Sequence, residues 1–125
     1  MTNYKKIKEQ LSSLLSQKIL VLDGAMGTML QRHKLEETDF RGELFKEHSL
    51  SLKGNNDLLC LTQPQIIEEI HTAYLEVGSD LIETNSFNST SIAQEDYGLA
   101  SQVFSINKAS AQIAQRACQK FMKNN

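Results

Sequence analysis

Residues 18–31 read KILVLDGAMGTMLQ, and no other stretch narrows the choice of fold as much. Four apolar residues, Ile19, Leu20, Val21 and Leu22, end in Asp23 and Gly24, and Gly27 follows three positions on. A short continuous apolar run bounded by turn residues reads as a strand buried on both faces, as in a parallel sheet. The glycines let the backbone turn sharply and leave room for something to come close. Asp23 then stands at the carboxyl end of the strand, where α/β proteins place their ligands. The plainer reading is a strand that ends in an Asp-Gly turn.

The pattern around this stretch is one of alternating elements. Residues 2–17 predict a helix, with Tyr4, Ile7, Leu11, Leu14 and Leu15 on one side, packed over the end of the sheet. A short helix is expected over 28–33, followed by a charged region, 34–56, with no sustained period. That region contains DFRGELF and the turn signal LKGNND, and irregular stretches of this length are often functional. His33 and His48 lie in or beside it and read as solvated histidines rather than ligands.

Thr62, Gln63, Pro64 and Gln65 then offer a capping hydroxyl, a glutamine three positions on and a proline in the first turn. Ile66, Ile67, Ile70, Ala73, Tyr74 and Val77 follow at helical spacing, and Gly78 suits the left-handed residue past the end. His71 adjoins that face and reads as a packed or capping residue. Residues 80–84 (DLIET) predict a second strand, 85–90 (NSFNST) a polar loop, and 91–97 a weaker helix stopping at Gly98. A last helix over 102–122 would bury Val103, Ile106, Ile113, Ala114, Ala117, Cys118 and Phe121. The expectation is an α/β fold of two successive strand–helix units, with residues 1–17 a leading helix and 18–125 the body.

Net charge is −2, so no nucleic-acid or anionic-membrane partner is indicated. Lys108, Arg116, Lys120 and Lys123 suit the end of a helix and are too dispersed for a binding patch. No apolar run reaches the ~18 residues of a membrane span, and no apolar signal core follows the N-terminal lysines. Cys60 and Cys118 lack metal-type spacing and read as buried thiols rather than a disulfide, so the chain is expected in the cytoplasm.

The GxxG spacing of DGAMGT fits neither a phosphate loop nor a dinucleotide fingerprint. What remains is a strand-end loop whose N–H groups can face an anion such as a carboxylate, with Asp23 free to hold an ammonium group or to orient the loop. Parallel topology would put Glu83, Thr84, Asn85, Ser86 and Phe87 beside Asp23 and Gly24 on the same rim. Strand alternation would send Glu83 and Asn85 to one side and Thr84 to the other.

DGAMGT, FRGELF, LKGNNDLL, AYLEVGSD and LIETNSFNST together closely resemble the start of the homocysteine S-methyltransferases, and over residues 19–118 the cobalamin-dependent methionine synthase branch in particular. DGAMGT and ETNSF resemble the broad family; FRGELF and LKGNNDLL resemble the cobalamin-dependent branch. The resemblance implies a (β/α)8 barrel that binds homocysteine at its strand ends. It also implies zinc held by three thiolates, and methylcobalamin on other domains, remethylated from methyltetrahydrofolate. Zinc lowers a thiol's pKa and keeps it nucleophilic at neutral pH. By position, Asp23 and Gly24 would sit against the amino-acid end of homocysteine, and Thr84, Asn85 and Phe87 would line the second strand's share of the pocket.

The family's zinc cysteines come later than any position matched here, and Cys60 and Cys118 stand at neither. A (β/α)8 barrel takes ~250 residues, so the resemblance reads as the first two strand–helix units of an incomplete barrel behind an N-terminal helix. The expected partners are homocysteine, the remaining barrel and the cobalamin- and folate-binding domains; this chain alone is expected to hold neither zinc nor cobalamin and to be inactive. The competing class is a stand-alone, non-catalytic binding or interaction protein of the same origin. An unrelated anion-binding α/β domain is the third.

Overall fold

The computed structural model describes residues 4–124, and helices make up nearly all of their regular structure. In order these are α1 (Tyr4–Gln17), α2 (Met26–Gln31), α3 (Glu37–Arg41), α4 (Leu59–Thr62), α5 (Pro64–Glu76), α6 (Ser91–Glu95) and α7 (Val103–Asn124). Short 3₁₀ turns, Asn56–Leu58 and Ala100–Gln102, lead into α4 and α7. The helix expected from residue 2 is present as α1 from Tyr4; Thr2 and Asn3 lie outside the described residues.

The α/β expectation is overturned. Among the described residues the two expected strands meet in one parallel bridge, Leu22 with Leu81, and form no sheet, so this is not the opening of a (β/α)8 barrel. Burial explains the failure. A strand hidden on both faces needs a layer on each, whereas Ile19 is 90% exposed, Val21 52% and Leu22 49%. The helices bury their apolar stripes against one another and leave the run uncovered. Side chains finish what the ladder does not: Asp80 Oδ2 accepts from Val21 N (3.0 Å) and Asp23 Oδ2 from Glu83 N (3.1 Å). Nor does α1 cover the bridge, since none of its residues is buried.

The core lies between α5, α4 and α7. Leu58, Leu59, Cys60, Ile67, Ile70, Ile106 and Ile113 are buried together, with Leu30, Phe40 and Leu52 closing one end. On α7, Ile106, Ser110, Ile113, Ala114 and Ala117 make a buried stripe at helical spacing. Three of these are small, which lets α7 approach α5 closely. At the edge of that contact Glu68 of α5 pairs with Arg116 and Lys120 of α7. Burial would raise the Glu68 pKa, but hydrogen bonds from Lys120 and Arg116 outweigh it and hold the group below its usual range.

Pro64 opens α5 in the first turn, as its missing N–H allows, although Gln63 and not Thr62 stands at the cap. Gly78 (φ +105°) and Gly98 (φ +65°) take left-handed conformations after α5 and α6. Ile67→Ala and Ile106→Ala should each lower unfolding free energy by ~2–5 kcal/mol, while exposed Leu14→Ala should change it by under about 0.5 kcal/mol. Urea denaturation of the three variants checks this ordering.

Candidate functional site

Three loops meet at one place. The first is Asp23, Gly24 and Ala25, between the apolar run and α2. Asp23 N donates to Leu81 O (3.0 Å) while its carboxylate takes the Glu83 N–H, so backbone and side chain both tie this loop to the third. Gly24 is required by space: a Cβ there would lie 2.9 Å from the Tyr74 hydroxyl and 3.2 Å from its ring. The same hydroxyl donates to Ala25 O (3.3 Å), so α5 braces the loop from behind.

The second loop comes from the region expected to be irregular, and it is held by two charged residues of α3. The Glu37 carboxylate accepts from Leu52 N (2.8 Å), Lys53 N (2.7 Å) and Ser51 Oγ (3.0 Å). These bonds, that from Leu52 first, hold its pKa below the usual range. Arg41 pairs with Glu37 (2.9 Å) and donates to the carbonyls of Phe45, His48 and Leu50. Glu36 and Asp39 cap α3 reciprocally, as in a capping box. FRGELF and LKGNND thus form one assembly, in which Arg41 and Glu37 deliver Gly54, Asn55, Asn56 and Asp57 to the site. His48 is half-buried, its Nε2 2.7 Å from Tyr97 O, not a freely solvated ring.

The third loop is residues 83–88, pinned by its neighbour. Asp57, itself buried, accepts from Asn88 N (2.7 Å) and Ser89 Oγ (2.6 Å). Asn85 is buried; its Nδ2 donates to Asn56 O (2.9 Å), and the Cys60 thiol donates to Asn85 O (3.4 Å). Burial pushes the Cys60 pKa up to about 12, against a hydrogen bond from Asn85 and with help from the Asp57 charge. Gln94 and Asn55 exchange amide hydrogen bonds (2.8 and 3.2 Å) and close the far wall.

Between the loops lies a cavity of about 680 Å³, within the range of small-molecule sites. Its lining includes all five residues singled out in the sequence: Asp23, Gly24, Thr84, Asn85 and Phe87. Their roles differ. Asn85 is a buried wall, Thr84 is exposed and within hydrogen-bond distance of Ser86 (2.7 Å), and Phe87 stands 93% exposed at the mouth. Because no strand extends past Leu81, the expected alternation of Glu83 and Asn85 against Thr84 does not apply. Gly54, Asn55, Asn56 and Asp57, which also line the cavity, were not singled out as site residues, although LKGNND lies in a stretch expected to be functional. Sequence reasoning missed Asp96 and Tyr97, which line the opposite rim.

The lining carries four carboxylates, Asp23, Asp57, Glu83 and Asp96, and no lysine, arginine or histidine. Such a cavity favours a cationic group, and its amides can orient a polar ligand. A thiolate zinc site does not fit these residues. Among the described residues no group of three or more His, Cys, Asp or Glu could hold a metal ion, and Cys60 keeps its proton at neutral pH.

Gly24→Val should force Tyr74 off Ala25 and cost about 1–3 kcal/mol of stability. Adding Tyr74→Ala should restore part of that loss of Tm, because the clash is with that ring; no recovery in the double variant would place the conflict elsewhere.

The family model for homocysteine S-methyltransferase matches residues 20–125. That span holds all three loops, the bridge between Leu22 and Leu81, and the α5–α7 core, so the chain belongs to the homocysteine S-methyltransferase family.

Proposed function

We propose that the cavity is the amino-acid end of a homocysteine site, in a methyltransferase of the cobalamin-dependent methionine synthase type. One observation carries the reading: the two motifs typical of the family, at Asp23 and at Asn85, line one cavity that has four carboxylates and no cationic side chain. An α-ammonium group is the part of an amino acid that such a lining attracts. Its carboxylate meets backbone N–H groups of the glycine-bearing loop from Gly24 to Gly27. Asn85, held by Asn56 and Cys60, keeps the wall rigid, and Phe87 at the mouth covers the aliphatic part of the substrate.

The chain's own part in this reading is binding. Zinc and methylcobalamin, with the folate that remethylates it, belong to other parts of the complete enzyme, and these are the chain's partners along with homocysteine. No nucleic acid or membrane takes part. No described helix is long and apolar enough to cross a membrane. We place the protein in the cytoplasm, where its two free thiols stay reduced.

Isothermal titration of the full chain with L-homocysteine tests the site. Asp23→Ala and Asn85→Ala should each weaken binding about tenfold or more, the loss expected for a buried or charged hydrogen-bond partner. Glu69→Gln, on the exposed side of α5, should leave it unchanged. Parental affinity in both site variants would remove the assignment.

A further inference from the structure

Three buried side-chain atoms among the described residues have no hydrogen-bond partner: Asp23 Oδ1 and both ring nitrogens of His71. Buried polar atoms are nearly always paired, so a cluster of unpaired ones beside a binding site calls for a reason. His71 is 0% exposed, on α5. Tyr74, three residues on and hence on the same face, is the side chain that braces Ala25 and confines Gly24. The helix meets the Asp23 loop through Tyr74, and His71 lies one turn earlier on that same side of α5 with both ring nitrogens unpaired. Asp23 is likewise half committed: Oδ2 holds Glu83 N, and Oδ1 is free.

We propose that His71 is a positioning residue for Asp23: its neutral ring donates an N–H through one trapped water to Asp23 Oδ1, and keeps the carboxylate's charge available to the ligand's ammonium. The proposal rests on the amino-acid reading of the pocket and adds to it a dependence on pH. Burial lowers the pKa of His71 from its ordinary 6.5, while Asp23 and, more weakly, Glu68 pull it up. Those two carboxylates are the charged groups that bear on the ring, and Glu68 is itself paired with Arg116 and Lys120. The ring is neutral at pH 7. When it takes a proton, its positive charge offsets that of Asp23, and the pocket's attraction for an ammonium weakens. The sign follows directly: affinity is full above pH 6.5 and falls as pH drops through the lowered pKa. Stability falls over the same window, because the unfolded chain binds that proton at a higher pH than the folded one.

Two measurements on the full chain decide this. The first is NMR titration of the ring nitrogens of His33, His48 and His71 in the parent and in Asp23→Asn. The His71 pKa, already lowered in the parent, should drop by about one pH unit further in the variant, the effect of removing a nearby opposite charge. His33 and His48 should not move. The second is L-homocysteine affinity between pH 5.5 and 8. The parent should lose affinity towards acid, by less than about tenfold at pH 5.5 because the ring's pKa is lowered from 6.5, whereas His71→Gln, which keeps an N–H donor and cannot ionise, should hold its affinity throughout. An unmoved His71 in Asp23→Asn overturns the proposal, as does an acid fall in His71→Gln equal to the parent's. If homocysteine binds at no pH, the function proposed above fails, and the histidine titration alone decides the coupling. It decides equally if His71→Gln does not fold.

Discussion

The carboxylate of Asp23 is the joint on which the site depends. Its backbone N–H reaches Leu81 O and its Oδ2 takes Glu83 N, so one residue ties the first loop to the third at two points. No sheet does this work, since the bridge between Leu22 and Leu81 is a single pair with exposed sides. A hydrogen bond to an ionised group is roughly twice as strong as a neutral one, which suits a joint with so little backbone support. Remove it, and the loops that carry Gly24 and Asn85 have little to keep them facing each other.

The rest of the molecule serves to fix those loops from behind. Helix α5 has two tasks: Ile67 and Ile70 enter the core against α7, while His71 and Tyr74 stand behind the Asp23 loop. Arg41 and Glu37 perform the same service for residues 45–53 by satisfying backbone groups that no helix or sheet takes up. That arrangement turns a long connection into a rigid wall. It also leaves the cavity's charge to Asp23, Asp57, Glu83 and Asp96, with the cations of Arg41 and Lys53 spent elsewhere, on α3 and its flanks.

How much of this was legible depended on whether a signal was local. Helix α5 announced itself through Pro64, its apolar spacing and Gly78, because each acts within a turn or two of chain. The motifs drew attention to Asp23, Gly24 and Asn85, and these three line one cavity. The strands were not legible, because 19–22 is apolar enough for a buried strand, yet burial depends on what other elements cover it. Nothing in ILVL says that Val21 N–H will bond to Asp80 rather than to a ladder partner. LKGNND hid its role for a related reason: Asp57 looks like a turn residue until Asn88 and Ser89, some thirty positions on, come to bond with it. His71 looked like packing, and only its own unpaired ring nitrogens and the unpaired Oδ1 of Asp23 give it a further meaning.

An amino-acid ligand is proposed to sit where these three loops meet. The most direct test is an amide chemical-shift map of the ¹⁵N-labelled chain titrated with L-homocysteine. The account predicts saturable shifts confined to residues 23–27, 54–57 and 83–88, with the α5–α7 face around Glu69 and Glu76 unmoved. Saturable shifts on that face instead, or none that saturate in the three loops, would contradict it.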